Sequence, residues 1–263
     1  MSGTAIRPAL LDCGRVQLRV IGALIVRELH SRYGRHRFGY VMMFIEPMLL
    51  AIAIRAMHHS NNGPVTRTVF EFYAIGYVLF FMWRAMVTRG SAVIEGGRNL
   101  LYHQRITLLD LFFARHLIEV ISAVGVMIIF YTVLIAFGSD YPASIIQMIE
   151  GVLLMGLLGQ GLAFNIANLV QRYEMLDRFV HMAAYITLPI SGMLYLVDTL
   201  PPAWQAVVMW VPMANCFEFF REGQFGGIYK YHYDIGYLLI WILSTHLLGL
   251  AGLRITRHRL GLE

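Results

Sequence analysis

Long apolar stretches are the feature that most constrains how this chain folds. A helix needs about 20 apolar residues to cross the roughly 30 Å hydrocarbon core of a bilayer, with every backbone polar group bonded within the segment. Six stretches meet this requirement, and the last two contain no Asp, Glu, Lys or Arg. The predicted spans are Phe38–Met57, Phe70–Val87, Leu117–Phe137, Ala143–Val170, Phe179–Val197 and Ile235–Leu253. We therefore predict an all-α membrane protein with six transmembrane helices.

The composition agrees with a protein built for lipid rather than water. The chain is 58% hydrophobic and 14% charged, whereas soluble domains carry about 25% charged residues. Lys230 is the only lysine, so the basic excess is almost entirely arginine. In a membrane protein such a bias reports orientation rather than nucleic-acid binding. Cys13 and Cys216 form neither a metal-ligand spacing nor a disulfide framework.

The positions of the basic residues predict which side each loop occupies. Positively charged flanks of membrane spans stay in the cytoplasm. Sixteen of the 21 basic residues fall in the N-terminal segment, the Thr88–His116 loop, the Gln171–Arg178 loop and the C-terminal tail. Arg67, Arg221 and Lys230 fall on the other side. Both termini of a multi-pass inner-membrane protein are therefore expected in the cytoplasm.

Two segments are predicted to lie at a membrane surface rather than to cross. Pro212 divides the apolar segment Ala203–Phe220 into halves too short to span, and a seventh crossing would place the arginines of the tail outside. A re-entrant hairpin between helices 5 and 6 satisfies both constraints. The segment Arg15–Tyr33 alternates apolar and charged residues, which predicts an interfacial helix. The predicted domains are residues 1–37 (N-terminus), 38–253 (membrane domain) and 254–263 (tail).

The sequence lacks the motifs of a self-powered transporter or of an enzyme. A phosphate-binding P-loop ends in Gly-Lys-Ser/Thr, but Tyr229 precedes the only lysine. We expect this chain to bind no cofactor and no metal, and ATP and Mg to be bound by a partner chain. The adjacent pair His58 and His59 has no metal-ligand spacing and is interpreted as part of a surface loop.

Three motifs resemble the ABC-2 class of exporter permeases. Arg27–Pro47 reads RELHSRYGRHRFGYVMMFIEP and is similar to the opening of these permeases, above all the capsular polysaccharide exporters of the KpsM type, in which a Glu also precedes the proline. Asn99–Arg115 reads NLLYHQRITLLDLFFAR and resembles a loop in which a short helix precedes a Leu-Asp-x-x-x-Ala-Arg ending. Trp210–Gly223 reads WVPMANCFEFFREG and resembles a segment with a Glu-x-x-Arg turn.

This resemblance implies an exporter of lipid-linked capsular polysaccharide in a Gram-negative inner membrane. It implies a homodimer of this permease with two separate ATPase subunits, a periplasmic adaptor of the polysaccharide co-polymerase type and an outer-membrane export protein. Size agrees with the dimer, because six helices cannot enclose a path for a sugar polymer, whereas twelve related by a two-fold axis can.

Candidate residues fall into four groups, and the first two groups each have an ordinary alternative. Aromatic and charged residues in the spans could line the path. Alternatively, the aromatic residues could pack against other helices or lie in the aromatic belt of the membrane interface, and the charged residues could extend their polar ends to the nearest interface. Basic residues at the inner interface could bind a lipid head group or acidic sugars, or could only enforce orientation. The candidate path residues are Tyr40, Phe44, Glu46, Arg55, Arg84, Tyr185 and Tyr195, and the head-group candidates are Arg27, Arg32, Arg35 and Arg37.

The other two groups concern the ATPase and the exit. An apolar turn flanked by arginines is typical of a short helix that docks in a groove, and a capping hairpin would face periplasmic partners. The coupling candidates are Arg98, Leu100, Leu101, Tyr102, Arg105 and Asp110, and the exit candidates are Trp204, Trp210, Pro212, Glu218 and Arg221.

Two kinds of alternative function remain open from sequence alone. The same architecture could carry O-antigen, teichoic acid, or a small lipid or drug. A membrane enzyme, such as a glycolipid transferase, would need convergent acidic residues on the cytoplasmic face. The Gln171–Arg178 loop offers Glu174 and Asp177, which we interpret as solvated charges.

Overall fold

The computed structural model describes residues 6–33, 49, 64–101, 106–136 and 138–259 of the chain. Within these ranges the protein is all helical and contains no β-strand. The α-helices described there are α1 (Ile6–Tyr33), α2 (Pro64–Gly90), α3 (Val93–Leu101), α4 (Leu108–Ala136), α5 (Ile145–Arg172), α6 (Leu176–Ile186), α7 (Pro202–Val208), α8 (Pro212–Phe225) and α9 (Ile235–Arg259).

Helix α5 lies at the centre of the bundle, where it packs against α2, α4, α8 and α9. Its C-terminal half joins a buried apolar cluster with Leu24 of α1, Phe112 of α4 and Leu253 of α9. Its N-terminal half packs against α8, where Gly151 faces the Phe220 side chain. The bundle therefore has two distinct ends, which we call the α1 end and, after the predicted hairpin that includes α8, the hairpin end.

Close approach and polar side chains hold α5 against α9. A Cβ atom on Gly249 would lie 2.5 Å from the Phe164 Cβ, so this contact requires glycine. Asn165 Nδ2 donates a hydrogen bond of 2.7 Å to the Thr245 carbonyl, and Asn168 Nδ2 donates one of 3.0 Å to the Gly249 carbonyl. Small residues and interhelical amide hydrogen bonds are the usual means of packing helices in lipid.

Three of the described helices are long and apolar enough to cross a bilayer: α4, α5 and the Ile235–Arg257 part of α9. They correspond to the third, fourth and sixth predicted spans. The second predicted span lies inside α2, whose 27 residues include four charged ones. The first, Phe38–Met57, lies outside the described residues except for Leu49.

The prediction of an unbroken helix over Phe179–Val197 is wrong, because α6 ends at Ile186 and a series of turns follows. Pro189 explains this ending. Proline has no backbone N–H, and its ring collides with the carbonyl four residues earlier. Gly192 then adopts a φ of +85°, a left-handed conformation that side-chain-bearing residues rarely take.

The helices outside the long apolar spans also follow the sequence pattern. Pro212 occupies the first turn of α8, and it separates α8 from α7 as predicted. Helix α3 is the predicted short helix before the Leu-Asp motif. Helix α1 covers the predicted Arg15–Tyr33 helix and begins nine residues earlier, at Ile6.

Candidate functional site

The structure brings together two predicted path residues, Arg84 of α2 and Tyr185 of α6. The Arg84 Cζ lies 3.7 Å from the centroid of the Tyr185 ring and 5.8 Å from that of Phe81. In the described part of the chain no carboxylate forms an ion pair with Arg84. A guanidinium over an aromatic face is stabilised electrostatically without being neutralised. The pair thus presents a positive charge together with an aromatic ring that is half exposed.

An apolar cavity of about 360 Å³ lies between α2, α5 and α6, close to this pair along both α2 and α6, but neither Arg84 nor Tyr185 is among its lining residues. Trp83 and Val87, which line it, flank Arg84 along α2, and Ala184, which also lines it, precedes Tyr185. Its other lining residues are nearly all apolar. The rings of Phe81 and Tyr185 give Arg84 low-polarity neighbours, beside which a charge attracts an anion more strongly than it does in water. The arrangement can bind an acidic sugar through its charge and the sugar's C–H face through the tyrosine.

Of the remaining path candidates, the structure describes only Tyr195. Tyr195 lies in the turns after α6, half buried, and its hydroxyl donates a hydrogen bond of 3.2 Å to the Ile190 carbonyl. The other path candidates lie outside the described residues: Tyr40, Phe44, Glu46 and Arg55.

At the hairpin end the exit candidates separate into exposed and buried residues. The side chains of Trp204 and Trp210 are 61% and 76% exposed, as expected for residues at an interface. Glu218 and Arg221 are completely buried instead, and both bond to the backbone that follows α6. The sequence placed Arg221 among the outer basic residues and gave no signal of its burial.

The carboxylate of Glu222 links helix α8 to two neighbouring parts of the chain. The Glu222 Oε2 accepts hydrogen bonds from Gln147 Nε2 of α5 at 2.7 Å and from the Tyr233 hydroxyl at 2.6 Å. The second bond raises the pKa of Tyr233 to about 12, because the carboxylate favours the protonated phenol. Helix α8, α5 and the loop before α9 are therefore joined at one point.

The α1 end carries the head-group candidates that the structure describes. Arg27 is exposed, and its Nη2 donates a hydrogen bond of 3.5 Å to the Gly96 carbonyl of α3. Arg32 lies in the last turn of α1, whereas Arg35 and Arg37 lie outside the described residues. Helix α1 is thus in contact with α3, the helix proposed from sequence to couple to an ATPase.

Two ion pairs hold this end together and were not predicted. Glu28 of α1 pairs with Arg115 of α4 at 3.3 Å, and Arg89 of α2 pairs with the buried Glu119 of α4 at 2.6 Å. Both join residues far apart in sequence, so local spacing carried no signal for them.

Among the coupling candidates, Asp110 has a structural role at the start of α4. Its Oδ2 accepts a hydrogen bond of 2.8 Å from the Thr107 N–H, and its own N–H donates to the Thr107 hydroxyl oxygen at 3.3 Å. This is a capping box, which the Thr-x-x-Asp spacing could have revealed. Gln17 of α1 also donates to Asp110.

Of the other coupling candidates, Leu100 packs beneath α1 on the cluster that contains Leu24. The backbones of Arg98 and Leu101 lie in α3. Tyr102 and Arg105 lie outside the described residues.

Comparison with known proteins agrees with this architecture. Residues 19–225 match the family described as ABC-2 type transporter. The chain is 33% identical over 239 residues to the capsule polysaccharide export inner-membrane protein BexB of Haemophilus influenzae, covering 90% of each chain. It is 32% identical over 248 residues to the inner-membrane protein CtrC of Neisseria meningitidis, covering 93% and 94%. The polysialic acid transport protein KpsM of Escherichia coli is 25% identical over 249 residues, covering 90% and 93%.

Proposed function

The chain belongs to the ABC-2 type transporter family, and from that premise we propose that it is the permease subunit of an ATP-driven exporter of lipid-linked capsular polysaccharide. The observation that carries the proposal is its 33% identity, over 90% of its length, to a capsule polysaccharide export inner-membrane protein. The protein is a multi-pass inner-membrane protein with apolar helices long enough to cross the bilayer.

The proposed assembly is a homodimer with two ATPase subunits in the inner membrane of a Gram-negative bacterium. Six spans in residues 38–253, the fifth of them broken after α6, and cytoplasmic termini, residues 1–37 and 254–263, would place α1 at the inner surface and the α7–α8 hairpin in the outer leaflet. This chain would bind no cofactor itself, with ATP and Mg held by the ATPase. A periplasmic adaptor and an outer-membrane protein would continue the route.

The proposed path uses Arg84 and Tyr185 as one contact point for an acidic polymer. A moving polymer needs weak, repeated contacts. A charge paired with an aromatic face provides an ionic contact and a stacking contact without fixing any one sugar. The cation–π geometry of 3.7 Å supports this role. Tyr195, in the turns after α6, would extend the path toward the hairpin end, and Tyr40, Phe44, Glu46 and Arg55 of the first predicted span would also line it.

The α1 end is the proposed contact with the ATPase. Helix α3 and the residues after it would dock on the ATPase, and α1 would share the contact through Arg27 and the Glu28–Arg115 ion pair. The arginines of this region would also hold the anionic head group of the substrate. Force from the ATPase would then reach α4 directly, since Asp110 caps the first turn of that helix.

Deletion and copurification test the proposal together. We expect a deletion strain to lose surface capsule and to retain polysaccharide inside the cell, and the tagged permease to copurify with a neighbouring ATPase. Loss of a different surface lipid with a normal capsule would contradict the cargo assignment. Unchanged surface glycans and no bound ATPase would contradict the exporter.

A further inference from the structure

One turn of α8 holds the chain segment that follows α6. Glu218 and Arg221 lie three residues apart and therefore on one face of the helix. Both side chains are buried, at 1% and 0% exposure. The segment they reach, Gly192–Val197, lies between the broken end of α6 and the hairpin helix α7.

Arg221 supplies hydrogen-bond donors to the carbonyls of this segment. Its Nη1 donates to the Gly192 carbonyl at 2.7 Å and also to the Tyr195 carbonyl, and its Nη2 donates to the Met193 carbonyl. The guanidinium Cζ lies 3.6 Å from the centroid of the Phe72 ring of α2. Irregular backbone at membrane depth is tolerated only where its polar groups find partners. Arg221 provides such partners where Pro189 has ended the helix.

Glu218 supplies acceptors to the same segment and to a second one. Its Oε1 accepts a hydrogen bond of 3.0 Å from the Val197 N–H, and its Oε2 accepts one of 3.1 Å from the His232 N–H. One side chain therefore binds carbonyls and the other binds amides, so that the segment is held from both ends. Neither side chain has surface left with which to contact a polymer.

We propose that Glu218 and Arg221 are positioning residues that hold Gly192–Val197 in one conformation and thereby set the place of Tyr195 in the export path. The inference rests on the proposed function, which assigns Tyr195 to the path.

The test combines export with cysteine labelling in the full complex. The variants are Arg221→Met, Arg221→Lys and Glu218→Gln, and the matched control is Lys230→Met, an exposed basic residue near the same end. Labelling uses a small maleimide on a cysteine at Tyr195→Cys in a Cys13→Ser background. The native Cys216 is fully buried, so its own labelling reports unfolding.

We expect Arg221→Met to speed labelling at position 195 and to lower export about tenfold or more, since unsatisfied buried carbonyls disfavour the native segment. Arg221→Lys has one donor nitrogen in place of the two Nη atoms, so its labelling rate and its export should lie between those of Arg221→Met and the wild type. Glu218→Gln should behave similarly, while Cys216 stays protected in each variant. Lys230→Met should match the wild type.

Two results would overturn the positioning roles. One is wild-type export and wild-type labelling in Arg221→Met and Glu218→Gln. The other is labelling of Cys216 together with position 195 in every variant, which would assign the pair to overall folding. A wild-type protein that exports no polysaccharide would contradict the proposed function instead, and the labelling rates would still decide the positioning roles.

Discussion

At the scale of single residues, Arg84 is the basic residue within a predicted span that the structure describes, since Arg55 lies outside the described residues. An arginine in a membrane helix is costly and normally faces a partner or a cavity. Here the described part of the chain offers Arg84 a tyrosine ring at 3.7 Å and no carboxylate. A charge that is held in place and not neutralised suits transient contact with an anionic polymer.

Substitutions of Arg84 or Tyr185 should lower export when they remove the positive charge or the aromatic ring. Arg84→Gln and Tyr185→Ala should each lower the export rate about twofold to thirtyfold, the range that corresponds to a cation–π contact of ~0.5–2 kcal/mol. Tyr185→Phe keeps the aromatic face and should retain most activity. The measurement is surface polysaccharide per unit of permease in complemented cells.

The matched control for this experiment is Arg172→Gln. Arg172 also lies over a tyrosine, Tyr173, with its Cζ at 5.9 Å from the ring centroid, but at the exposed end of α5. Its replacement should leave export unchanged. Equal losses in Arg84→Gln and Arg172→Gln would argue against a specific contact in the path.

Asp110 permits a separate test at the start of α4. Asp110→Ala removes the capping box with Thr107 and should destabilise the protein by about 1 kcal/mol. The measurement is the melting temperature of the purified permease, with Glu174→Ala, in an exposed turn, as the control. An unchanged melting temperature with lost ATPase binding would assign Asp110 to coupling rather than to capping.

Sequence alone identified several of these residues but not their surroundings. The Glu-x-x-Arg spacing marked Glu218 and Arg221. Their burial, however, depends on Pro189, which ends helix α6 and leaves backbone carbonyls without helical partners beside α8. The spacing of charges could not show that Glu28 pairs with Arg115, because the two residues meet only when α1 folds onto α4. Long-range ion pairs depend on packing, which no local pattern records.

At the scale of elements, uninterrupted apolar length predicted α4, α5 and α9 well. The same criterion failed for α6, where apolar residues continue past Ile186 although the helix does not. Pro212 was correctly interpreted as a break between two helices, and the same rule applied to Pro189 would have ended α6 near its observed position. Hydropathy measures whether a segment prefers lipid or water. It does not register that proline lacks the backbone N–H that a continuing helix needs.

The contact between α5 and α9 gives a prediction about packing. Gly249→Ala places a methyl group 2.5 Å from the Phe164 Cβ, and overpacking of this kind should destabilise the protein by about 1–3 kcal/mol. Gly125→Ala in α4 meets no atom within 4 Å and is the control. We expect a lower melting temperature in detergent for the first variant and an equal or higher one for the second. Equal melting temperatures would contradict the close α5–α9 packing.

At the scale of the whole molecule, the two ends of the bundle should face opposite sides of the membrane. Met175 is 78% exposed in the turn between α5 and α6, and Ile228 is 74% exposed between α8 and α9. In a Cys13→Ser background, a membrane-impermeant maleimide should label Ile228→Cys in spheroplasts and Met175→Cys only after permeabilisation. The reverse pattern would invert the proposed orientation, and labelling of both in intact spheroplasts would contradict the two-ended arrangement.

The central claim is that this chain forms a path whose traffic is driven by ATP hydrolysis on another polypeptide. The most direct test reconstitutes the copurified permease and ATPase into vesicles with lipid-linked capsular polysaccharide and measures how much polysaccharide crosses the bilayer. We predict transfer that requires ATP and both proteins, and that stops when the ATPase carries a substitution abolishing hydrolysis. Equal transfer by the permease alone, without nucleotide, would contradict the account.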